Sequence, residues 1–157
     1  MSNKIPHPKL LELEERCRRR GVPLTTPRRA VMGVLLGRAD HPTADDIFAE
    51  IAPQLPSLSK ATVYRTLEKL VEIGLVIRVC HPEAAARYDA KTYRHQHLVC
   101  DHCGSMRDIE VPDLNDLPLP NTSETGFRIR DYFVQFRGLC QMCARSRGSL
   151  PGVDDQE

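Results

Sequence analysis

A chain of 157 residues with 41% hydrophobic and 27% charged residues has the composition of an ordinary globular protein, with room for one domain or two small ones. Trp is absent and aromatic residues make up only 5%, so the cores are modest and a bound metal would be a useful staple. The formal net charge of +1 hides a polarity. Residues 1–88 carry 14 Lys and Arg against 10 Asp and Glu, and residues 89–157 carry 8 against 11, which points the first part toward a polyanion. The opening stretch MSNKIPHPKLLELEERCRRRG is charged and lacks an apolar run, so neither a signal peptide nor a membrane span is expected. A reducing cytoplasm follows as the expected compartment, where thiols bind metal and do not pair.

Residues 8–20 read as a helix, with Leu10, Leu11, Leu13 and Cys17 in a partial apolar stripe, a basic end from Arg16 to Arg20 and a stop at Gly21. Thr26 before Pro27 predicts an N-cap with Pro at the first helical position, and Ala30, Val31, Val34 and Leu35 continue at helical spacing to Gly37. Thr43 announces a third helix carrying Ala44, Ile47, Phe48 and Ile51, which ends before Pro53. After Pro56, Ser59 caps a fourth helix, KATVYRTLEKLVEIG. Its apolar face is Val63, Leu67, Leu70 and Val71, its polar face shows Lys60, Thr62, Tyr64, Arg65 and Lys69, and Gly74 stops it. The runs LVIRVC and ARYDA around HPEAA predict a hairpin. Helices followed by a hairpin make a winged helix-turn-helix, in which the second helix of the turn enters the major groove of DNA. Tyr64 and Arg65 are then the candidates for base edges, with Lys60 and Lys69 near phosphates.

The stretch RYDAKTYRHQHLVCDHC, from Arg87 to Cys103, is dense in metal ligands. On a strand, His95 and His97 share one face, and Cys100 and Cys103 leave it as a CxxC knuckle. A second knuckle, Cys140 and Cys143, follows FRIRDYFVQFRG, which reads as a strand. Two matched CxxC pairs supply four thiolates, the ligand set of a closed tetrahedral zinc site. Two disulfides or a dithiol redox motif are the competing readings.

The segments His41-Pro-Thr-Ala-Asp-Asp-Ile-Phe48, ATVYRTL from Ala61 to Leu67, RYDA, HQHLVCDHCG and GLCQMC, in this order and spacing, resemble the ferric uptake regulator family of metal-responsive bacterial repressors. The resemblance implies an α+β chain. Residues 1–88 would form a winged helix-turn-helix DNA-binding domain and residues 89–146 a small α/β dimerisation and metal-binding domain; residues 147–157, beyond the resemblance, are expected as a disordered tail. It also implies a structural Zn2+ on Cys100, Cys103, Cys140 and Cys143, and a regulatory metal between the domains on His41, Asp89, His95, His97 and Asp108. Three imidazoles and two carboxylates are a harder set than four thiolates, suited to Fe2+ or Mn2+, with zinc as a competitor.

Asp89, and Asp108 where iron regulators usually carry Glu, resemble the peroxide-responsive branch; Arg65 is instead typical of iron regulators. A further metal site found in many members has no ligands here, since Arg94, Gln96 and Tyr132 stand in those places. Pro118 and Pro120 cannot lie inside a long helix, so the usual dimerisation-domain helix is expected to be short or broken. The resulting expectation is a cytoplasmic homodimeric repressor and not an enzyme. It would bind double-stranded operator DNA with Fe2+ or Mn2+ in place and be released when peroxide oxidises His41 or His95 at an iron site. No membrane and no small-molecule substrate beyond metal and peroxide is expected. The alternatives are a regulator answering only to iron or manganese supply, a hydrolytic metal centre, and a thiol switch whose cysteines form disulfides and eject zinc. Cys17 and Cys80 are expected as buried small residues, and His7, His81 and His102 as surface histidines.

Overall fold

A computed structural model describes residues 7–79 and 85–147, and the chain divides into two compact units, Met1–Thr92 and Tyr93–Glu157. Among the described residues no helix is long and apolar enough to cross a membrane.

The first unit contains α1 (Pro8–Arg19), α2 (Thr26–Gly37), α3 (Ala44–Ile51) and α4 (Lys60–Glu72), followed by strands β1 (Ile77–Val79) and β2 (Arg87–Asp89). Most helix starts have a side chain to satisfy their orphan N–H groups. The His7 ring accepts from the Lys9 N–H at 3.2 Å, and Ser59 Oγ accepts from the Thr62 N–H at 3.2 Å. Thr43 and Asp46 form a reciprocal capping box at α3. The Thr43 N–H and hydroxyl hold the Asp46 carboxyl below the usual carboxylate range. At α2 the cap is Thr25, one residue earlier than the expected Thr26. Thr25 keeps extended dihedrals and makes no side-chain cap bond, while its carbonyl already accepts from the Arg29 N–H at 3.2 Å.

The core of this unit packs Leu13 and Cys17 of α1 with Val31, Met32 and Leu35 of α2, Ile47 of α3, and Val63, Leu67 and Leu70 of α4. Each large aliphatic side chain withdrawn from water in this way contributes about 1.5–3 kcal/mol. Cys17 is one of these core residues, as expected. The C-terminus of α4 is closed from outside its own helix. Arg16 Nη1 donates to the carbonyls of Ile73 at 3.0 Å and Gly74 at 3.2 Å, and Arg20 Nη1 donates to Glu72 O at 3.3 Å. Cations there satisfy orphan carbonyls and oppose the helix dipole. Gly74 turns the chain away at φ +73°, which a residue with a Cβ would adopt only under strain.

Strands β1 and β2 pair antiparallel, with Ile77 opposite Asp89, and complete the winged helix-turn-helix. Cys80, His81 and most of the predicted HPEAA turn lie outside the described residues. The division between units falls after Thr92 and not at the expected 88/89 boundary, because Asp89 belongs to the β2 ladder.

The second unit has strands β3 (Gln96–Cys100), β4 (Met106–Ile109) and β5 (Gln135–Gly138) in the order β4-β3-β5, then α5 (Gln141–Arg147). β4 pairs antiparallel and β5 parallel with the central β3. A parallel partner requires a long crossover. Here the crossover carries single 3-10 turns at Pro112–Leu114 and Ser123–Thr125 and no α-helix, as Pro118 and Pro120 predict. The expected long strand FRIRDYFVQFRG is corrected: only Gln135–Gly138 is paired. With Gln135 opposite His97, residues before Val134 run past the start of β3 and have no strand beside them. Of the expected tail at 147–157, residues 148–157 lie outside the described residues.

Replacing Arg16 by Ala should remove the charge-assisted cap of α4 and lower stability by about 1–2 kcal/mol in urea unfolding. Amide hydrogen exchange at Ile73 and Gly74 should accelerate more than exchange at Val63 on the same helix.

Candidate functional site

Parallel pairing of β3 with β5 places Cys100 opposite Gly138, so the knuckle after β3 and the knuckle leading into α5 are brought together. The sulfurs of Cys100, Cys103, Cys140 and Cys143 all lie within 4.8 Å of one another, and none is in a disulfide. The Cys103 and Cys140 sulfurs are 3.8 Å apart. Zn–S bonds of about 2.3 Å at tetrahedral angles give S–S edges of about 3.8 Å, so the cluster fits zinc. Gly104, at φ +66°, closes the first knuckle by donating its N–H to Cys100 O at 2.9 Å.

The thiols are also polarised by their surroundings. Hydrogen bonds from the backbone N–H groups of Cys103 and Cys140 bring the Cys100 thiol down to about 6. The Ser105 side chain lowers that of Cys103. Cys143 is pushed up to about 12, first by its hydrogen bond with Cys140 and then by burial. Four adjacent sulfurs cannot all ionise without a cation among them, and a divalent metal supplies that charge.

Two groups of nitrogen and oxygen ligands form, one in each unit. In the first, His41 follows α2 in a left-handed conformation, φ +53°, unusual for a residue with a Cβ and worth about 1–2 kcal/mol of strain. Neighbouring bonds hold it there. Arg87 Nη1 donates to His41 O at 2.9 Å, the Tyr88 N–H donates to Pro42 O at 3.1 Å, and Thr43 forms a β-bridge with Arg87. This stitching puts His41 Nε2 3.3 Å from Asp89 Oδ2, while Asp89 Oδ1 accepts from the Lys91 N–H at 2.8 Å. Both side chains are buried.

In the second unit, His97 on β3 and His95, just before that strand, turn their rings toward the same carboxylate. Asp108, directly opposite His97 on β4, places Oδ1 3.3 Å from His95 Nε2 and 3.8 Å from His97 Nε2. The two rings meet edge to face at 4.6 Å between centroids. His95 Nδ1 hydrogen-bonds Tyr93 O at 2.9 Å, which makes it the protonated nitrogen and leaves Nε2 as the donor toward a metal. Ligand atoms slightly over 3 Å apart match the edges of a coordination shell with bonds of roughly 2.1–2.2 Å. His102 is exposed and joins neither group.

The solvent-facing stripe of α4 is Lys60, Ala61, Tyr64, Arg65 and Glu68. Lys60 Nζ is 3.1 Å from Asp45 and sits over the Phe48 ring at 5.8 Å. Arg65 Nη2 donates to Thr62 Oγ1 at 3.3 Å, so half-buried Thr62 orients Arg65. Lys69 is half-buried and its ammonium bonds both Glu72 oxygens, at 2.7 and 2.8 Å. Sequence reasoning missed Glu68 on the stripe, exposed Arg78 on β1, and Arg87 beneath His41. Arg87 was detectable as the residue alternating with Asp89 on a strand.

Residues 19–137 match the model of the ferric uptake regulator family. The chain belongs to that family. It is 33% identical over 135 residues to the peroxide-responsive repressor PerR of Staphylococcus aureus, covering 84% of this chain and 91% of that protein. A structure of the Helicobacter pylori ferric uptake regulator Fur superposes with a TM-score of 0.71 at 19% identity, covering 89% of this chain and 94% of that one. A zinc uptake regulator complexed with zinc and DNA gives 0.67 at 24% identity, covering 92% and 100%. As a member of the ferric uptake regulator family, the chain is a metal-responsive transcriptional regulator of the family fold.

Changing Cys103 to Ser should remove one corner of the thiolate cluster. The purified protein is expected to lose most of its zinc by elemental analysis, and the second unit should melt well below the wild type. Retention of one zinc per chain with unchanged melting would contradict the assignment of the cluster.

Proposed function

We propose that the protein is a cytoplasmic homodimeric repressor. It binds operator DNA when one Fe2+ or Mn2+ is shared by His41, Asp89, His95, His97 and Asp108, and releases it when peroxide oxidises the iron-loaded form. The observation that carries this reading is the pair of buried donor groups, His41 with Asp89 and His95 and His97 with Asp108. Each is too small to complete a coordination shell alone, and the combined set suits a hard divalent ion. Zn2+ on Cys100, Cys103, Cys140 and Cys143 is structural in this reading.

A metal drawing ligands from both units favours the one arrangement in which all five reach it. Moving such a switch from mostly open to mostly closed takes about 10⁴ in differential affinity, roughly 5.5 kcal/mol. Losing His41 and Asp89 from the shell would supply a difference of that kind. Bound iron would supply one-electron chemistry with peroxide beside His41 and His95, and an oxidised imidazole is a poorer ligand. Similarity to PerR of S. aureus supports this branch. Exposed Phe127, Phe133 and Phe136 in the second unit support a second copy as its partner. No catalytic role is assigned in this reading.

Arg65→Ala should weaken operator binding by about 1–3 kcal/mol and relax base preference, read by gel-shift titration against mutated sites. Lys60→Ala should lower affinity uniformly and reduce the salt slope by about one phosphate contact.

The switch itself is tested by peptide mass spectrometry. Iron-loaded protein given low peroxide should gain one oxygen atom on a peptide containing His41 or His95 and lose DNA binding, and manganese-loaded protein should do neither. Oxygen appearing only on Met or Cys peptides while DNA binding persists would leave a regulator responding to metal supply alone.

A further inference from the structure

Gln96, the first residue of β3, stands between His95 and His97 and is a polar side chain with only 1% of its surface exposed. The strand pleat points it to the opposite face from His97. Both ends of its amide are used. Gln96 Oε1 accepts from the Val111 N–H at 2.7 Å, and Nε2 donates to Asn115 Oδ1 at 2.7 Å. Val111 and Asn115 belong to the segment that leaves β4, the strand carrying Asp108. The same segment is gripped a second time. Tyr132 Oη accepts from the Leu117 N–H at 2.7 Å and donates to Leu114 O at 3.1 Å. Arg94, two residues before β3, stacks over the Tyr132 ring at 4.1 Å and pairs with Asp131 at 2.7 Å.

We infer that Gln96 is a positioning residue for the metal-binding group His95, His97 and Asp108, acting as a pin on the β3–β4 register. The register places Gln96 opposite Ile109 and His97 opposite Asp108. A slip of one residue would turn every side chain of β4 to the other face and carry Asp108 away from the imidazoles. β3 has five residues and β4 four, so few ladder bonds resist such a slip. The buried amide adds two hydrogen bonds satisfied only in the observed register. Breaking them leaves a buried N–H without its acceptor, so the pin is cooperative with the fold around it. Gln96 touches no metal. It holds the strand on which the ligands stand, as outer groups do for metal sites generally.

The inference rests on the reading of His95, His97 and Asp108 as metal ligands, and the test separates the two. Zinc-loaded protein is titrated with Co2+, whose visible absorption reports ligand geometry, and zinc content and melting temperature are measured in parallel. Wild-type protein showing no second Co2+ site would overturn the metal reading itself. Given that site in the wild type, Gln96→Leu should lower Co2+ affinity about 10- to 100-fold and alter the visible band, with one zinc per chain retained. Asn115→Ala and Tyr132→Phe, each removing one grip on the same segment, should lower affinity by smaller factors. They also keep the test decisive if Gln96→Leu fails to fold. Gln96→Glu keeps the acceptor for Val111 and should recover part of the affinity lost in Gln96→Leu. Unchanged Co2+ affinity and spectrum in Asn115→Ala and Tyr132→Phe, or a lowered melting temperature without any spectral change in Gln96→Leu, would overturn the positioning role.

Discussion

Strand β3 imposes the constraint on which the second unit depends. It pairs with β4 on one side and β5 on the other, its pleat assigns His97 and Gln96 to opposite faces, and its last residue, Cys100, begins the thiolate cluster. A shift of β4 would disturb the ligands and the amide clamp, and a shift of β5 the sulfurs. The unit has few buried apolar side chains outside this strand, chiefly Met106 and Cys143, so polar pins and a metal do work that a larger core would do elsewhere.

The first unit is organised differently. Its helices share one aliphatic core, and specificity is added at the helix ends by Ser59, Thr43 with Asp46, and the arginines of α1 that close α4. A rigid α4 presents Tyr64 and Arg65 from a fixed base. The strained His41 is the exception to this regularity. Its left-handed backbone is held by Arg87 and the bridge between Thr43 and Arg87, so the wing strand β2 positions both His41 and the neighbouring Asp89. Strain maintained by surrounding bonds is a common property of ligand sites.

Charge follows the same division. The excess of Lys and Arg in residues 1–88 accompanies the winged helix-turn-helix, and the acidic excess lies with the second unit. The exposed stripe of α4 is nonetheless mixed, because Glu68 stands one turn beyond Tyr64 and Lys60 is engaged by Asp45. Any affinity for a polyanion thus depends on which side chains reach it and not on net charge alone.

Local signals determined much of this architecture. The apolar spacing of Val63, Leu67 and Leu70 gave α4, Gly21 and Gly74 gave the helix stops, and the paired CxxC spacing pointed to one four-sulfur cluster. The prolines at 118 and 120 foretold a crossover without an α-helix. Helix spacing, helix stops, the prolines and each CxxC pair by itself depend on neighbours within a few residues, so they are written in the chain. Tertiary structure decided what depends on distant partners. It cut the predicted strand 127–138 down to Gln135–Gly138, because β3 offers no further edge. It held His41 in place with Arg87 from 46 residues away, and turned Gln96 from an intervening polar residue into a buried pin. Hydrogen-bond partners brought together by folding leave no periodicity in the sequence, which is why these contacts could be read only from the folded chain.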